Sequence, residues 1–329
     1  MTAIDSSVPP SPRGACARAL LAVLVALAAA LALPVAGALA ASAPTASTSG
    51  YADVTYSSAS VFGDVNPNGL ATDYQFKYGT STAYGGLTPL APAGNGTTPV
   101  RLGRELTGLR PGTVYHYRLV AINADGTTEG RDHTFTTARI PLSVQIVGVP
   151  DPVGFGDPFY LEGYLSGTGA AGHEIVLQAN PFPYTGGFGD VGNPEVTSAS
   201  GGFSFPYVGL LENAQLRVVT VGKPEVSSPV ILENVAVRVS FHVRSTRRRG
   251  YARLYGTVTP AEPGALIGFQ LLTPGRSTNE GGTVVKADTS AFSTFSRVVR
   301  VRRRGLYEAL VQVTDPSHVS AYSSPVLIR

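Results

Sequence analysis

The chain has 329 residues, with 25 Lys and Arg against 22 Asp and Glu, for a formal net charge of +3. Its single cysteine excludes an intrachain disulfide and a zinc site built on cysteines. Glycine and proline number 38 and 25, a share below the roughly 25–30% typical of disordered chains, so they predict the turns of an all-β protein.

The N-terminus has the pattern of an export signal. Arg13 and Arg18 precede a long uncharged, apolar run, and Ala38 and Ala40 supply the small residues that a signal peptidase requires. We therefore expect residues 1–40 to be a signal peptide that is removed on export, which places the protein outside the cell or at its surface. A retained membrane anchor is the alternative, because the apolar run exceeds the roughly 18 residues of a span. Membrane contact is expected only through this segment.

The segment after the signal peptide predicts a linker followed by a β-domain. Residues 41–50 are rich in Ala, Ser and Thr, which predicts a flexible linker. Further on, Pro111 and Gly112 predict a tight turn that is followed by a long strand starting near Tyr115. From Tyr115, every second residue is apolar or aromatic up to Ala121, as in a strand with one buried face.

This turn and strand resemble the corner between strands E and F of a fibronectin type III domain. In that family a tyrosine at the start of strand F ties its hydroxyl back to the turn. The resemblance extends upstream over residues 61–69 and 74–85, ends at residues 135–137, and is similar to the version found in exported actinobacterial proteins. It implies a fibronectin type III-like sandwich over residues 51–138, with Tyr115 as its structural corner. It does not identify a ligand, because this fold hosts many functions.

The rest of the chain consists of two similar segments, residues 139–234 and 235–329. Each has short alternating stretches separated by turn signals, in the same order, and each ends in Ser-Ser-Pro-Val, at 227–230 and at 323–326. This spacing predicts one immunoglobulin-like sandwich per segment, and both segments resemble bacterial Ig-like domains. The sequence therefore predicts an all-β chain of three tandem β-sandwich domains.

Charge is distributed unevenly among these domains. Residues 51–138 carry 6 basic and 7 acidic side chains, residues 139–234 carry 3 and 9, and residues 235–329 carry 14 and 5. The last domain contains two Arg-Arg-Arg-Gly motifs, formed by Arg247, Arg248 and Arg249 and by Arg302, Arg303 and Arg304. If the strands after them are B and F, the two motifs converge at one end of the sandwich.

Such a basic end predicts a polyanion as partner. The candidates are an anionic cell-wall polymer or polysaccharide, and another surface protein is a further option. Nucleic acid is disfavoured because no recognition motif accompanies the charge. The alternative is an ordinary solvated surface, or one that pairs with the acidic middle domain.

A second candidate for binding is the glycine-rich loop 180–190, which has no counterpart in the last domain. Its aromatic residues Phe182, Tyr184 and Phe188 could form a stacking surface for a sugar or a partner. The alternative is that they pack back onto their own sandwich. The absence of tryptophan weakens the sugar interpretation.

No pattern in the chain predicts catalysis, a cofactor or a metal. The five histidines lack metal-ligand spacing, and His116 and His133 are expected on opposite faces of their sheet. No Gly-x-Ser-x-Gly motif and no phosphate-binding loop are present. Asp151 and Asp157 could belong to a loose calcium loop, but two carboxylates are too few for a cation that takes six to eight oxygens.

These observations together predict a non-enzymatic, extracellular or cell-surface modular protein. Its expected role is that of a spacer, adhesion or envelope-docking module. The first alternative is an accessory binding subunit of an extracellular polysaccharide-degrading system. A lower alternative is an enzyme whose site has no sequence signature.

Overall fold

A computed structural model describes residues 42–207 and 209–329, and its regular secondary structure consists of β-strands. The predicted all-β class, with several β-sandwich domains in tandem, is confirmed. The chain divides into two compact units, one ending at Thr137 and the other beginning at Ala138. The predicted signal peptide, residues 1–40, lies outside the described residues. In the described part of the chain, no helix is long and apolar enough to cross a membrane.

The first unit consists of two antiparallel sheets. Its strands are β1 (Thr45–Ala52), β2 (Ser58–Asn66), β3 (Thr72–Gly79), β4 (Gly86–Leu87), β5 (Ala91–Gly94), β6 (Val100–Thr107), β7 (Val114–Asn123), β8 (Gly126–Glu129) and β9 (His133–Thr136). One sheet has the order β1-β2-β6. The other has the order β4-β3-β7-β8, with β5 also paired to β3 and β9 to β7.

The core of this unit follows from strict alternation along its strands. On β2 the buried side chains are Ala59, Val61 and Val65, and on β7 they include Tyr117 and Leu119. Polar or less buried residues stand between them, since successive side chains of a strand point to opposite faces. The two inward faces meet and exclude water from one hydrophobic core.

The prediction of a flexible linker over residues 41–50 is wrong from residue 45 onward. This stretch forms most of β1, which pairs with β2 from Thr45 to Ala52. The Thr48 hydroxyl accepts a hydrogen bond from the Leu119 N–H at 3.1 Å, and the Ser49 carbonyl accepts one from the Tyr117 hydroxyl at 3.0 Å. The first sandwich therefore begins before residue 51. The small hydroxyl side chains of β1 form hydrogen bonds with buried polar groups. They leave no alternation of apolar residues in the sequence from which the strand could be predicted.

The second unit contains eighteen strands among its described residues. Those of its first half are β10 (Ser143–Ile146), β11 (Val153–Gly154), β12 (Phe159–Ser166), β13 (Glu174–Pro181), β14 (Gly189–Val196), β15 (Gly202–Tyr207), β16 (Ala214–Thr220), β17 (Ile231–Glu233) and β18 (Val235–Ala236). Those of its second half are β19 (Arg238–Ser245), β20 (Tyr251–Thr259), β21 (Leu266–Thr273), β22 (Arg276–Val284), β23 (Lys286–Ala287), β24 (Ser293–Arg300), β25 (Gly305–Gln312), β26 (Ala321–Tyr322) and β27 (Val326–Ile328).

Each half of the second unit has two main sheets and its own core. The first half has sheets β10-β12-β15 and β14-β13-β16-β17, and the second half has β19-β20-β24-β23 and β22-β21-β25-β26, with β27 also paired to β25. The core of the first half includes Leu161, Ile175 and Val235. The core of the second half includes Val237 and Phe269. The chain thus passes from one core to the other within three residues.

Backbone hydrogen bonds join these two halves. Strand β18, the last of the first half, pairs in parallel with β11 of the same half. The Val319 N–H of the second half donates to the Val235 carbonyl of β18 at 2.8 Å. Asn213 is 5% exposed; its amide nitrogen donates to the Pro316 carbonyl at 3.0 Å, and its amide oxygen accepts from the Val235 N–H at 2.6 Å. The short segment around Val235 is therefore fixed from both sides.

Candidate anion-binding site

The two arginine motifs occupy turns at one end of the last sandwich. The first turn joins β19 to β20 and the second joins β24 to β25. Strand β20 pairs antiparallel with both β19 and β24, and Tyr251 at its start lies opposite Arg300 at the end of β24. Because the start of one strand lies beside the end of its neighbour, both turns are at the same end of the sheet.

Both turns line one groove of about 660 Å³, which we call the arginine groove. Five of the six arginines in the motifs contribute to it, namely Arg248, Arg249, Arg302, Arg303 and Arg304. Arg329 also lines it, and Val301 and Leu327 are among its apolar lining residues. Arg247 is exposed in the first turn but does not line the groove.

Backbone hydrogen bonds hold the first turn and tie it to the second. The Tyr251 N–H donates to the Arg248 carbonyl at 3.1 Å, and the Val301 N–H donates to the Gly250 carbonyl at 2.9 Å. Gly250 has a φ of 79°, a conformation that a residue with a side chain adopts only at a cost. The Thr246 hydroxyl adds a bond to the Arg248 carbonyl at 3.0 Å. The arginines therefore project from a fixed backbone.

A buried tyrosine fixes the second turn. The Tyr307 hydroxyl donates to the Arg303 carbonyl at 2.8 Å, while its ring is buried in the core of the last sandwich. This burial raises the pKa of Tyr307, so the hydroxyl stays protonated and able to donate. No sequence pattern singled out Tyr307, although its place just after the second motif could have indicated it.

Tyr115 makes a comparable contact in the first unit. Its hydroxyl accepts a hydrogen bond from the Arg110 N–H at 3.0 Å, and its ring stacks on Phe135 with centroids 5.7 Å apart. Tyr115 is 7% exposed. The side chain thus connects the start of β7 to the turn that precedes it.

The six motif arginines have no acidic partner within the part of the chain that the structure describes. All six side chains are exposed, and none forms a salt bridge with a described carboxylate. An ion pair between Arg238 and Asp157 joins the basic domain to the acidic one, and it lies away from the motifs. Arg248 lies over the ring of Tyr251, 4.0 Å from its centroid. The arginine groove therefore faces solvent as a field of positive charge.

The aromatic residues of loop 180–190 are not assembled into one flat surface. Phe182 and Tyr184 meet edge to face with centroids 5.6 Å apart. Phe188 lies elsewhere, under the guanidinium of Arg217 at 4.2 Å from its ring centroid. All three rings are half-buried, and Asn180 holds the loop by donating to the Tyr184 carbonyl at 3.0 Å.

The structure does not bring together the two aspartates or the two histidines that were considered from the sequence as possible metal ligands. Asp151 accepts from the side chain and backbone of Asn234, while Asp157 pairs with Arg238, so the two aspartates serve different partners. His116 bonds Asp132 at 2.8 Å, and His133 instead contacts the ring of Tyr117. The two histidines therefore have different surroundings.

One cluster of potential metal ligands was not visible in the sequence. Glu262, Asp315 and His318 each place a ligand atom within 4.8 Å of the others. The His318 ring is already bonded on both sides, since Nε2 donates to the Leu211 carbonyl at 2.9 Å and Nδ1 lies 3.1 Å from Glu262. Burial raises the pKa of Glu262. The arrangement works as a hydrogen-bonded contact between the two halves of the second unit.

Glu233 is a further buried carboxyl group. It is 1% exposed, and its Oε1 atom has no hydrogen-bond partner among the described residues. Burial, with a smaller contribution from the charge of Asp151, raises the pKa of Glu233 to about 8. The group is therefore largely protonated at neutral pH, which avoids an uncompensated buried charge.

No protein-family model matches the chain, and no curated protein matches it. Among solved structures it is similar to the FN1-FN3 domains of chicken CNTN1, with 13% identity over 87% of this chain and 99% of that one, at a TM-score of 0.29. It is also similar to domains A168-A170 of titin, with 12% identity over 87% and 99% of the two chains and a TM-score of 0.35. A tetra-tandem repeat from the extending region of a large adhesion protein is similar at 15% identity over 87% and 74%, with a TM-score of 0.31.

Proposed function

We propose that this chain is a non-enzymatic, extracellular or cell-surface modular protein whose last domain docks onto an anionic polymer of the cell envelope. The observation that carries this proposal is the arginine groove, where five arginines from two turns face solvent and none pairs with a carboxylate of the described residues. The fibronectin type III-like domain and the acidic Ig-like domain act as spacers that precede this docking domain.

The chemistry of the groove favours an extended, charged ligand. Guanidinium groups bind carboxylates and phosphates through paired hydrogen bonds, and a polymer with regularly spaced anions can engage both turns at once. The residues that line the groove include no histidine, cysteine, aspartate or glutamate. The groove thus has the groups to bind an anion but no obvious general base.

The test compares two variants of the whole chain that lose the same charge. The groove variant replaces Arg248, Arg249, Arg302, Arg303 and Arg304 by Gln. The matched control replaces five exposed basic residues elsewhere, namely Arg110, Arg131, Arg139, Lys223 and Arg276, by Gln. Binding is measured on two anionic probes, polyphosphate and polygalacturonate, and on uncharged dextran.

We expect the groove variant to bind both anionic probes more weakly, and the control to bind them nearly as well as the wild type. An exposed ion pair contributes about 0.2–1 kcal/mol, so losing five should cost at least about fivefold in affinity. Because screening shortens from about 8 Å at physiological salt to about 3 Å at 1 M, binding should also fall steeply with salt. If both variants lose the same affinity for the anionic probes, the groove is not a docking site. The same conclusion follows if the wild-type chain binds uncharged dextran as well as it binds the anionic probes.

A further inference from the structure

The outer face of the sheet beside the arginine groove carries a strip of hydroxyl, aromatic and basic side chains. Strands β19, β20 and β24 lie next to one another there, and alternate residues point outward. Cross-strand neighbours along this face are Ser240, Thr257 and Thr294, then His242, Tyr255 and Ser296, then Arg244 and Arg253. All eight side chains line a shallow groove of about 410 Å³, which we call the face groove.

The face groove holds a pair of like charges. Arg244 and Arg253 are directly opposite each other on β19 and β20, and both are exposed. The outward positions of the three strands include no aspartate or glutamate. Among the described residues, the Arg253 guanidinium donates to the Ser296 hydroxyl at 3.2 Å. Like charges placed opposite each other destabilise a sheet. An anion between these two guanidinium groups would remove that cost.

The remainder of the strip suits a sugar better than a bare anion. Tyr255 is 37% exposed, and its ring lies beside that of His242 with centroids 5.5 Å apart, which leaves an aromatic surface open to solvent. The Ser240 and Thr257 hydroxyls lie 2.7 Å apart next to it, with Thr294 beside them. An aromatic ring accepts the apolar side of a sugar, and hydroxyls can donate to and accept from its polar groups.

The face groove begins two residues from the arginine groove along β20. Tyr251 lines the arginine groove, and Arg253, two residues further on the same side of the strand, lines the face groove. Two residues span about 7 Å of a β-strand, so one polymer chain can occupy both grooves. Such a polymer would first contact the arginines of the arginine groove, then the pair Arg244 and Arg253, and then the aromatic and hydroxyl side chains of the face groove.

We propose that the face groove is a subsite for an anionic polysaccharide, with a carboxylate of the polymer between Arg244 and Arg253 and a sugar ring on Tyr255. This proposal rests on the proposed function, because the same polymer continues into the arginine groove. It adds selectivity: the arginine groove attracts any polyanion, and the face groove favours one built of sugars.

The middle domain provides a natural control. In the repeat, β12 corresponds to β20, so Glu162 stands where Tyr255 stands, and Tyr160 stands where Arg253 stands. Tyr160 is 64% exposed. A Tyr160→Ala variant therefore removes an exposed side chain of the same size from an equivalent strand that lacks the arginine pair, and it serves as the control for Tyr255→Ala.

The test measures the affinity of the whole chain for polygalacturonate, an acidic polysaccharide, and for polyphosphate, which has no sugar. Tyr255→Ala should weaken binding to polygalacturonate by about fivefold or more, as expected for truncation of a contact residue, and leave binding to polyphosphate unchanged. Replacing Arg244 and Arg253 together by Gln should lower affinity for polygalacturonate more than for polyphosphate. Tyr160→Ala should change neither.

The outcomes separate this inference from the proposed function. If Tyr255→Ala weakens binding to both probes equally, or changes binding to neither probe, the face groove is not a sugar subsite. This conclusion holds even when the groove variant confirms that the chain docks onto polyanions. If the groove variant binds both probes like the wild type, the docking proposal itself fails. Thermal unfolding of Tyr255→Ala is measured in parallel, and a melting temperature equal to that of the wild type excludes loss of fold as the cause.

Discussion

The second unit should lose stability as pH rises through neutrality, because Glu233 is buried and its Oε1 atom has no hydrogen-bond partner in the described part of the chain. Its pKa is about 8 in the folded chain against an ordinary value of 4.5. Between these two values the unfolded chain releases the proton and the folded chain keeps it, so the free energy of unfolding falls as pH rises. Each pH unit in this window costs about 1.4 kcal/mol, which gives an upper bound of about 5 kcal/mol by pH 8.

The perturbation that isolates this group is Glu233→Gln, since an amide resembles the protonated acid in shape and lacks its titration. The variant should be more stable than the wild type at pH 8 and close to it at pH 5. For a unit of this size, 1 kcal/mol corresponds to roughly 2–4 °C in melting temperature, so the two proteins should differ by up to about 10–20 °C at pH 8. Thermal unfolding followed by circular dichroism at both pH values measures the difference.

The comparison between variant and wild type is essential, because burial also raises the pKa values of Glu262 and Glu308. Those groups produce a background fall in stability that both proteins share. If the variant and the wild type keep the same difference in melting temperature at pH 5 and pH 8, Glu233 does not titrate in this range. The reasoning from its burial would then be refuted.

Three substitutions test other contacts. Tyr115→Phe should cost the first unit about 1 kcal/mol, and an unchanged melting temperature would show that the bond to Arg110 contributes nothing. Tyr307→Phe should cost the second unit a similar amount and should also weaken polyphosphate binding, because the turn at Arg303 is released; full binding would show that the turn does not need this tether. Asn213→Ala leaves the Val235 N–H and the Pro316 carbonyl unpaired and should cost the second unit roughly 1–3 kcal/mol. The loss is measured as a lower denaturation midpoint in urea. A midpoint equal to that of the wild type would show that water replaces the side chain.

The alternating strands and the two arginine motifs could be predicted from the sequence because their signals are local. Tyr115 follows a Pro-Gly turn that marks the end of one strand and the start of the next. The motifs at Arg247 and Arg302 precede strands that occupy similar places in a sandwich, and this topology is enough to infer that they converge. The two motifs are far apart in the sequence, but the assumed strand order alone was enough to place them at the same end of the sandwich.

The features that escaped prediction depend on contacts between distant parts of the chain. Thr45–Ala52 looked like a linker because its strand is made of small polar residues that bond to buried backbone. The meeting of Glu262 with His318 depends on how two loops pack, which no spacing in the sequence records. The face groove was hidden for another reason: Arg253 and Tyr255 alternate with buried residues, a pattern that identifies a strand but does not say which exposed residues meet across it.

The pairing around Val235 has a consequence for how the second unit is cut by proteases. Proteases cut exposed backbone that is poorly held by burial and hydrogen bonds, and connections between domains usually supply it. Here β18 is paired with β11 and bonded to Val319, so the passage between the two halves offers no such stretch. Limited digestion should therefore spare this passage and leave the two halves as one fragment, although a chain of separate sandwiches would be expected to yield them singly.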